Sequence, residues 1–356
     1  MSPLTDRVAA FWSRVNGVLF PALEEAGIEM TPKLYQLVTL LDLLQIELFV
    51  PPRSPYQVGA KPSDRRCLAR AFVAKAFYNA TDTKAFRERL LHDKDLRKVC
   101  GWAFRWEVPS ESTFSRAFAW FADLGMLDQV QAAHVQAWLG DTLIRDVSTD
   151  STAIEAREQP VSRAKPATEV APAEPTRLER QLTQVAEIAL LELPGACDVG
   201  CKTNSQGNKD YWIGYKFHVR VADGKLPLVA VTTSASVHDS QLAIPLMQLS
   251  DRLVTSLYEL MDRAYDAKWI RWAGELAGHV PIIDYVKRRG QERARALEPD
   301  RAEHYQGRTT VEQFNARLKD EFGGNHVRVR GQRKVHAHLM FGLLVIFADQ
   351  LLRLVT

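Results

Sequence analysis

Thr142-Leu143-Ile144-Arg145-Asp146-Val147-Ser148-Thr149-Asp150 is the stretch on which the reading of this chain turns. It predicts a strand that ends in an acid, and it marks a change of character. Upstream, the first ~140 residues carry apolar residues at helical spacing. Ser63 is placed to cap a helix running to Lys75 and Phe77, with Leu68, Phe72 and Ala76 on one face. Asp82 starts a second helix, carrying Phe86, Leu90 and Leu91. Ser110 caps a third, whose stripe is Phe114, Ala117, Phe118 and Phe121, with Gly125 at its stop. Short helices joined by tight turns suit a helix-turn-helix DNA reader, and a plain helical packing domain equally well.

Downstream, residues 155–175 are rich in Pro, Ala and Glu and predict a flexible loop. Arg177 to Leu193 then reads as one amphipathic helix, and Ser205 to Asn208 as a turn. Trp212 to Val221 alternates apolar with polar, and Asp223-Gly224 turns the chain into Leu226 to Ser234. A helix over Ser240 to Ser250 follows, then a short strand from Ser256 that runs into Asp262. Ala264 to Ala277 is a predicted helix, Val280 to Tyr285 a strand, and Thr309 to Phe322 a helix. A hairpin followed by alternating elements describes an α/β domain, a mixed sheet flanked by helices. That order is the order of a ribonuclease-H-like domain, and other mixed folds share it.

Asp150 and Asp262 each end a predicted strand, where a carboxylate stands at an open sheet rim. Glu312 lies on the last of these helices. Three acids on three elements can converge on two hard cations, which prefer oxygen ligands and promote in-line displacement at phosphorus. Tyr305, Arg308, Glu312 and Lys319 fall within about 60° of one another on a helical wheel that extends back to Tyr305. Val311, Phe314 and Leu318 occupy the flank that would pack on the sheet. The helix therefore presents one acid between two cations, as a phosphodiester site requires. An Arg-Glu pair on a solvated helix is the plainer alternative.

At 356 residues the chain has room for two domains and a buried core. Its hydrophobic share of 46% and charged share of 25% place it with ordinary globular proteins. No run is expected to approach the ~20 apolar residues of a bilayer span; Leu339 to Ala348 reads as a buried helix. The first residues lack the pattern of a secretory signal. Four cysteines are too few for a disulfide framework, which favours a reducing cytoplasm. The net charge of +3 says little, but Lys287 to Lys334 holds 13 Lys/Arg against 7 Asp/Glu. That excess suits a surface that meets phosphates, and a solvated charged face as well.

Tyr305, Arg308, Glu312 and Lys319 resemble, in type and spacing, the Tyr-Arg-Glu-Lys signature of bacterial insertion-sequence transposases of the Asp-Asp-Glu class. Val147 to Thr152, Trp212 to His218, Thr233 to Ser240 and Leu260 to Asp266 resemble the same group, and Pro109 to Phe118 its N-terminal domain. The resemblance implies a helical DNA-end-binding domain over 1–140 and a ribonuclease-H-like catalytic domain over 141–356, with an insertion at about 155–210. It implies two Mg²⁺, replaceable by Mn²⁺, held by Asp150, Asp262 and Glu312. Arg308 and Lys319 would then contact phosphates of the element ends, with Tyr305 beside them. Arg328, Arg330, Arg333 and Lys334 would add backbone contacts. The implied chemistry is hydrolysis at the element's ends, then attack of the freed 3′-hydroxyl on target DNA.

The implied partners are double-stranded terminal inverted repeats and target DNA, bound by a homodimer, in the bacterial cytoplasm at the nucleoid and away from membranes. Only 49 residues separate Asp262 from Glu312, too few for the β-rich subdomain that some relatives insert there. Two other readings stay open: a DNA-binding protein that no longer cuts, and a ribonuclease-H-like nuclease that does not join.

Several residues rank lower. Asp146 points to the same strand face as Asp150 and is its rival, the motif match favouring Asp150. Asp266 reads as a cap or surface charge, and Asp239 as the cap of the helix beginning near Ser240. Cys197 and Cys201 lack a second pair at zinc spacing. Trp269 and Trp272 read as core.

Overall fold

The computed structural model describes residues 3–52, 63–161, 175–203, 206–287 and 295–354. Its described part forms two compact units. The first comprises residues 1–134 with two later segments, 317–326 and 337–356; the second comprises 135–316 and 327–336. Compactness thus divides the chain at several points.

The first unit is helical: α1 (Pro3–Arg14), α2 (Phe20–Glu25), α3 (Pro32–Leu44), α4 (Arg65–Phe77), α5 (Thr83–His92), α6 (Lys94–Cys100), α7 (Glu111–Asp123) and the greater part of α8 (Met126–Leu139). The aromatic stripe foreseen on α7 is buried. Phe72 of α4 is its centre, with ring centroids 5.7 Å from Phe114, 5.1 Å from Phe118 and 6.2 Å from Phe121. Asp82 caps α5 through the Ala85 amide as expected. The cap of α4 is Asp64 and not Ser63, because the Asp64 carboxylate accepts the Arg66 amide at 2.9 Å.

The second unit is a mixed sheet with helices against it. Its strands are β1 (Leu143–Glu155), β2 (Asp198–Thr203), β3 (Lys209–Ala222), β4 (Leu226–Ser234), β5 (Thr255–Met261) and β6 (Val280–Ile283). β1 pairs antiparallel with β3 and parallel with β5, β5 parallel with β6, and β3 antiparallel with both β4 and β2. This is the ribonuclease-H-like sheet that the element order predicted. Gly224 turns β3 into β4 at φ +74°, a left-handed conformation open to glycine.

The helices of this unit are α9 (Arg177–Gln181), α10 (Ala186–Leu191), α11 (Ser240–Asp251), α12 (Lys268–Leu276), α13 (Pro299–Tyr305) and α14 (Thr309–Asp320), whose last turn passes into the first unit. The last helix, α15 (Gln332–Leu352), likewise begins in the second unit and ends in the first. Ala243, Ile244 and Met247 of α11 pack with Met261, Tyr265, Ile270 and Ile283.

Four expectations are corrected here. β1 does not end at Asp150: β3 is long enough to pair with it as far as Glu155, whereas β5 stops opposite Thr149. The single helix over Arg177 to Leu193 is two, α9 and α10, and the carbonyls of Gln181 and Gln184 at the break are taken by the Gln248 side chain. β2 went unforeseen within the insertion. α15 is long and apolar enough to cross a membrane, contrary to the length reading, but 78% of its most apolar window is buried inside the protein, as expected of a core helix. Residues 162–174 of the predicted loop, Ser205 of the predicted turn and Arg288, Arg289 and Arg293 of the basic stretch lie outside the described residues.

Candidate active site

The register of β1 and β5 sets the first two acids side by side. Thr149 pairs with Met261, so Asp150 and Asp262 follow together at the point where β5 gives out. On one edge β1 continues along β3; on the other it is open, and Asp262 turns into a short 3₁₀ segment, its carboxylate accepting the Ala264 amide at 2.8 Å. Alternation sends Asp146, Ser148 and Asp150 to one face of the sheet.

α14 brings the third acid to that face. Val311 and Phe314 are buried and Glu312 is exposed, as the helical spacing predicted; Leu318, in the first unit, is buried too. The helix does not run back unbroken to Tyr305. α13 ends there, and a 3₁₀ turn over Gln306–Arg308 joins it to α14. Tyr305 and Thr309 both keep right-handed helical angles, so the path continues with a tighter winding. The Ser148 hydroxyl fastens this turn to β1 through the Gly307 carbonyl, 3.3 Å away.

Arg308, projecting from that turn, joins the three acids. Its Nη2 is 3.7 Å from Asp150 Oδ1 and 3.8 Å from Asp262 Oδ2, and its Nη1 donates to Glu312 Oε1 at 2.7 Å. One guanidinium fork reaching all three holds Asp150, Asp262 and Glu312 within about a nanometre of one another. Asn315, one turn beyond Glu312, donates to Asp150 Oδ2 at 3.4 Å. Burial pushes the Asp150 carboxyl up to about 7, with Arg308 opposing. Burial also raises Asp262, against the Ala264 amide and Arg308. Desolvation works against the charge on Arg308, but Asp150, Asp262, Tyr305 and Glu312 together hold it above its ordinary value.

Such a site suits a hard cation. Its donors are carboxylate oxygens, which Mg²⁺ and Mn²⁺ prefer, and two of them are desolvated neighbours that favour any added positive charge. The buried Tyr265 hydroxyl beside them has no hydrogen-bond partner among the described residues. As arranged around Arg308, no group of three His, Cys, Asp or Glu side chains among the described residues is close enough to chelate a metal. The donor types fit, and Arg308 supplies the positive charge at their centre.

The other candidates are placed as follows. Tyr305 is half-buried, with Asp262, Asp284 and Arg263 in its electrostatic surroundings. Lys319 lies in the last turn of α14 and belongs to the first unit. Arg328, Arg330, Arg333 and Lys334 are all exposed in the second unit, before and within the first turn of α15. Asp146, the rival first ligand, has both oxygens engaged, one by His304 at 3.0 Å and one by Arg145 at 2.8 Å. Asp266 is neither a cap nor a loose surface charge, since it holds Arg271 and the Val286 amide. Asp239 makes no side-chain cap to α11; the His238 ring meets the Ser240 amide instead. Trp272 is 46% exposed and Trp269 only half-buried, so neither lies in the core as expected. Cys197 is buried, Cys201 exposed, and both are free.

Sequence reasoning missed Ser148 and Asn315. Ser148 was legible as the neighbour of Asp150 on the same strand face, two residues away. Asn315 sits three residues past Glu312, where a helix brings a second polar group toward the sheet.

The chain matches the family model for the transposase DDE domain over residues 142–348. It also matches the model of a second family, a transposase domain, over residues 24–120. No curated protein and no solved structure matches it.

Proposed function

Because the chain belongs to the family of DDE-domain transposases, we propose that it hydrolyses DNA at the ends of a mobile element and joins the freed 3′-hydroxyl to target DNA. The observation that carries this reading is the gathering of Asp150, Asp262 and Glu312, from three separate elements, around one arginine. Those three are the acids that would hold two Mg²⁺, or Mn²⁺ in its place, once Arg308 gives up its central position among them. When bound, the metals activate the attacking oxygen and stabilise the leaving one.

The chain's own groups do the rest. Ser148 and Asn315 fix the turn and the carboxylate that flank the reacting phosphate. Arg308 offers a charged, bidentate fork to phosphate oxygens at the rim, and Tyr305 packs beside it. Lys319, Arg328, Arg330, Arg333 and Lys334 hold the backbone of the bound duplex without reading its sequence. The helices of residues 1–140 read the terminal inverted repeats. Two ends must be held for one joining event, so the working form is a homodimer on DNA, acting in the cytoplasm where its substrate lies.

A strand-transfer assay tests the joining step. A duplex end with an exposed 3′-hydroxyl, incubated with the protein, Mg²⁺ and a supercoiled plasmid, is expected to become covalently attached to the plasmid. Nicking of uncut ends without any attachment of precut ends would reduce the protein to a nuclease. Binding of ends with neither step would make it a silent DNA-binding protein.

A further inference from the structure

Ser151 follows Asp150 on β1 and so faces the opposite side of the sheet, toward α11. Its hydroxyl donates to Asp239 Oδ1 at 2.8 Å. The Lys216 ammonium, from β3, donates to the same oxygen at 2.9 Å and to the Val237 carbonyl at 2.9 Å. His218 pairs with Ser151 across the two strands and is wholly buried. Its Nε2 meets Thr233 Oγ1 at 2.9 Å, while its Nδ1 lies 3.9 Å from Asp239 Oδ1 and has no hydrogen-bond partner among the described residues. Tyr265, 1% exposed and also without a partner for its hydroxyl among the described residues, feels the charges of Asp239, Asp150 and Asp262 together. Asp239 in turn acts electrostatically on both Asp150 and Asp262.

An aspartate that only closes a helix would not be arranged in this way. Asp239 makes no side-chain bond to the α11 amides. It ties the β4–α11 turn to the β1 residue adjoining Asp150 and to a lysine of β3, beside two buried polar groups with spare hydrogen-bonding capacity. We propose that Asp239 is a positioning residue for the divalent-metal site. Through Ser151 it fixes the β1 backbone that carries Asp150, and its charge deepens the negative field felt by a cation at Asp150 and Asp262. Groups behind metal ligands that orient them and tune their charge commonly govern affinity about tenfold or more. The inference rests on the metal-dependent reading given above.

Titration calorimetry with Mn²⁺ alone, on the full chain, tests it. The set is the wild type, Asp262→Ala and Asp239→Asn, with a thermal melt of each. Asp239→Asn is expected to melt near the wild type and to bind Mn²⁺ about tenfold more weakly. Unchanged affinity in Asp239→Asn, with binding lost in Asp262→Ala, overturns this inference and leaves the metal reading intact. A wild type that takes up no Mn²⁺ overturns both. Should Asp239→Asn melt early, Lys216→Gln reads the same field with the opposite sign. It removes a cation while keeping a donor, so it should bind Mn²⁺ more tightly than the wild type. Equal or weaker binding by Lys216→Gln overturns the inference.

Discussion

Asp150 carries two opposed demands: burial lifts its carboxyl to about 7, and Arg308 draws it back. Its folded value lies above its unfolded one, so the folded state takes up a proton that the unfolded state releases. Its contribution to stability is complete below the unfolded value near 4 and is lost as pH rises through about 7. Asp150→Asn should therefore raise the melting temperature of the metal-free protein by several degrees at pH 8 and by little at pH 4. Thermal melts across that range check this; an equal effect at both ends would remove the buried charge as the cause. Metal binding needs the ionised form, so Mn²⁺ affinity of the wild type should climb between pH 6 and pH 8. Arg308 is the counterpart. With Arg308→Gln the acids lose their shared cation, and Mn²⁺-free protein should melt lower at pH 8, where all three acids repel. Identical melts for Arg308→Gln and the wild type would show the guanidinium to be idle.

The elements show how far a sequence pattern carries and where it fails. Helical spacing placed Val311 and Phe314 inward and Glu312 outward, because a helix repeats its own geometry whatever surrounds it. Strand alternation likewise put Asp146 and Asp150 on one face. What spacing missed depends on partners remote in the chain. β1 outruns Asp150 because β3 is there to pair with it, and the helix after Thr176 breaks because Gln248 takes its free carbonyls. Asp239 read as a cap from its place before a helix, yet Ser151 and Lys216 recruit it from two other strands. The sheet interior holds a further non-local pair, Arg220 and Glu259, fully buried and bonded at 2.6 Å. Truncation of one partner leaves the other charged and unpaired, so Glu259→Ala should cost about 3–5 kcal/mol of stability. Urea unfolding measures it; a loss under about 1 kcal/mol would mean that water reaches the pair. Just before α15, Arg328 and Arg330 stand exposed two residues apart. If each meets one phosphate, replacing both by Gln should flatten the slope of log affinity against log salt by about 2. An unchanged slope would place the DNA elsewhere.

At the scale of the molecule, residues 24–120 and residues 142–348 match separate transposase family models. The proposed division of labour follows: one recognises an element end, the other cuts it. Fold class was legible, and so was the placement of the three acids on three separate elements, because both reside in short, self-contained patterns. The packing of residues 317–326 and 337–356 with the N-terminal helices was not, since nothing local in those segments announces it. The division also sets what a decisive experiment must separate, which is recognition from chemistry. That experiment is cleavage of a labelled element end in Mg²⁺ by the wild type and by Asp262→Ala, with end binding measured on the same samples. The account predicts that the variant binds its end within a few-fold of the wild type and leaves it uncut. An Asp262→Ala protein that cuts as fast as the wild type would contradict the assignment of the site.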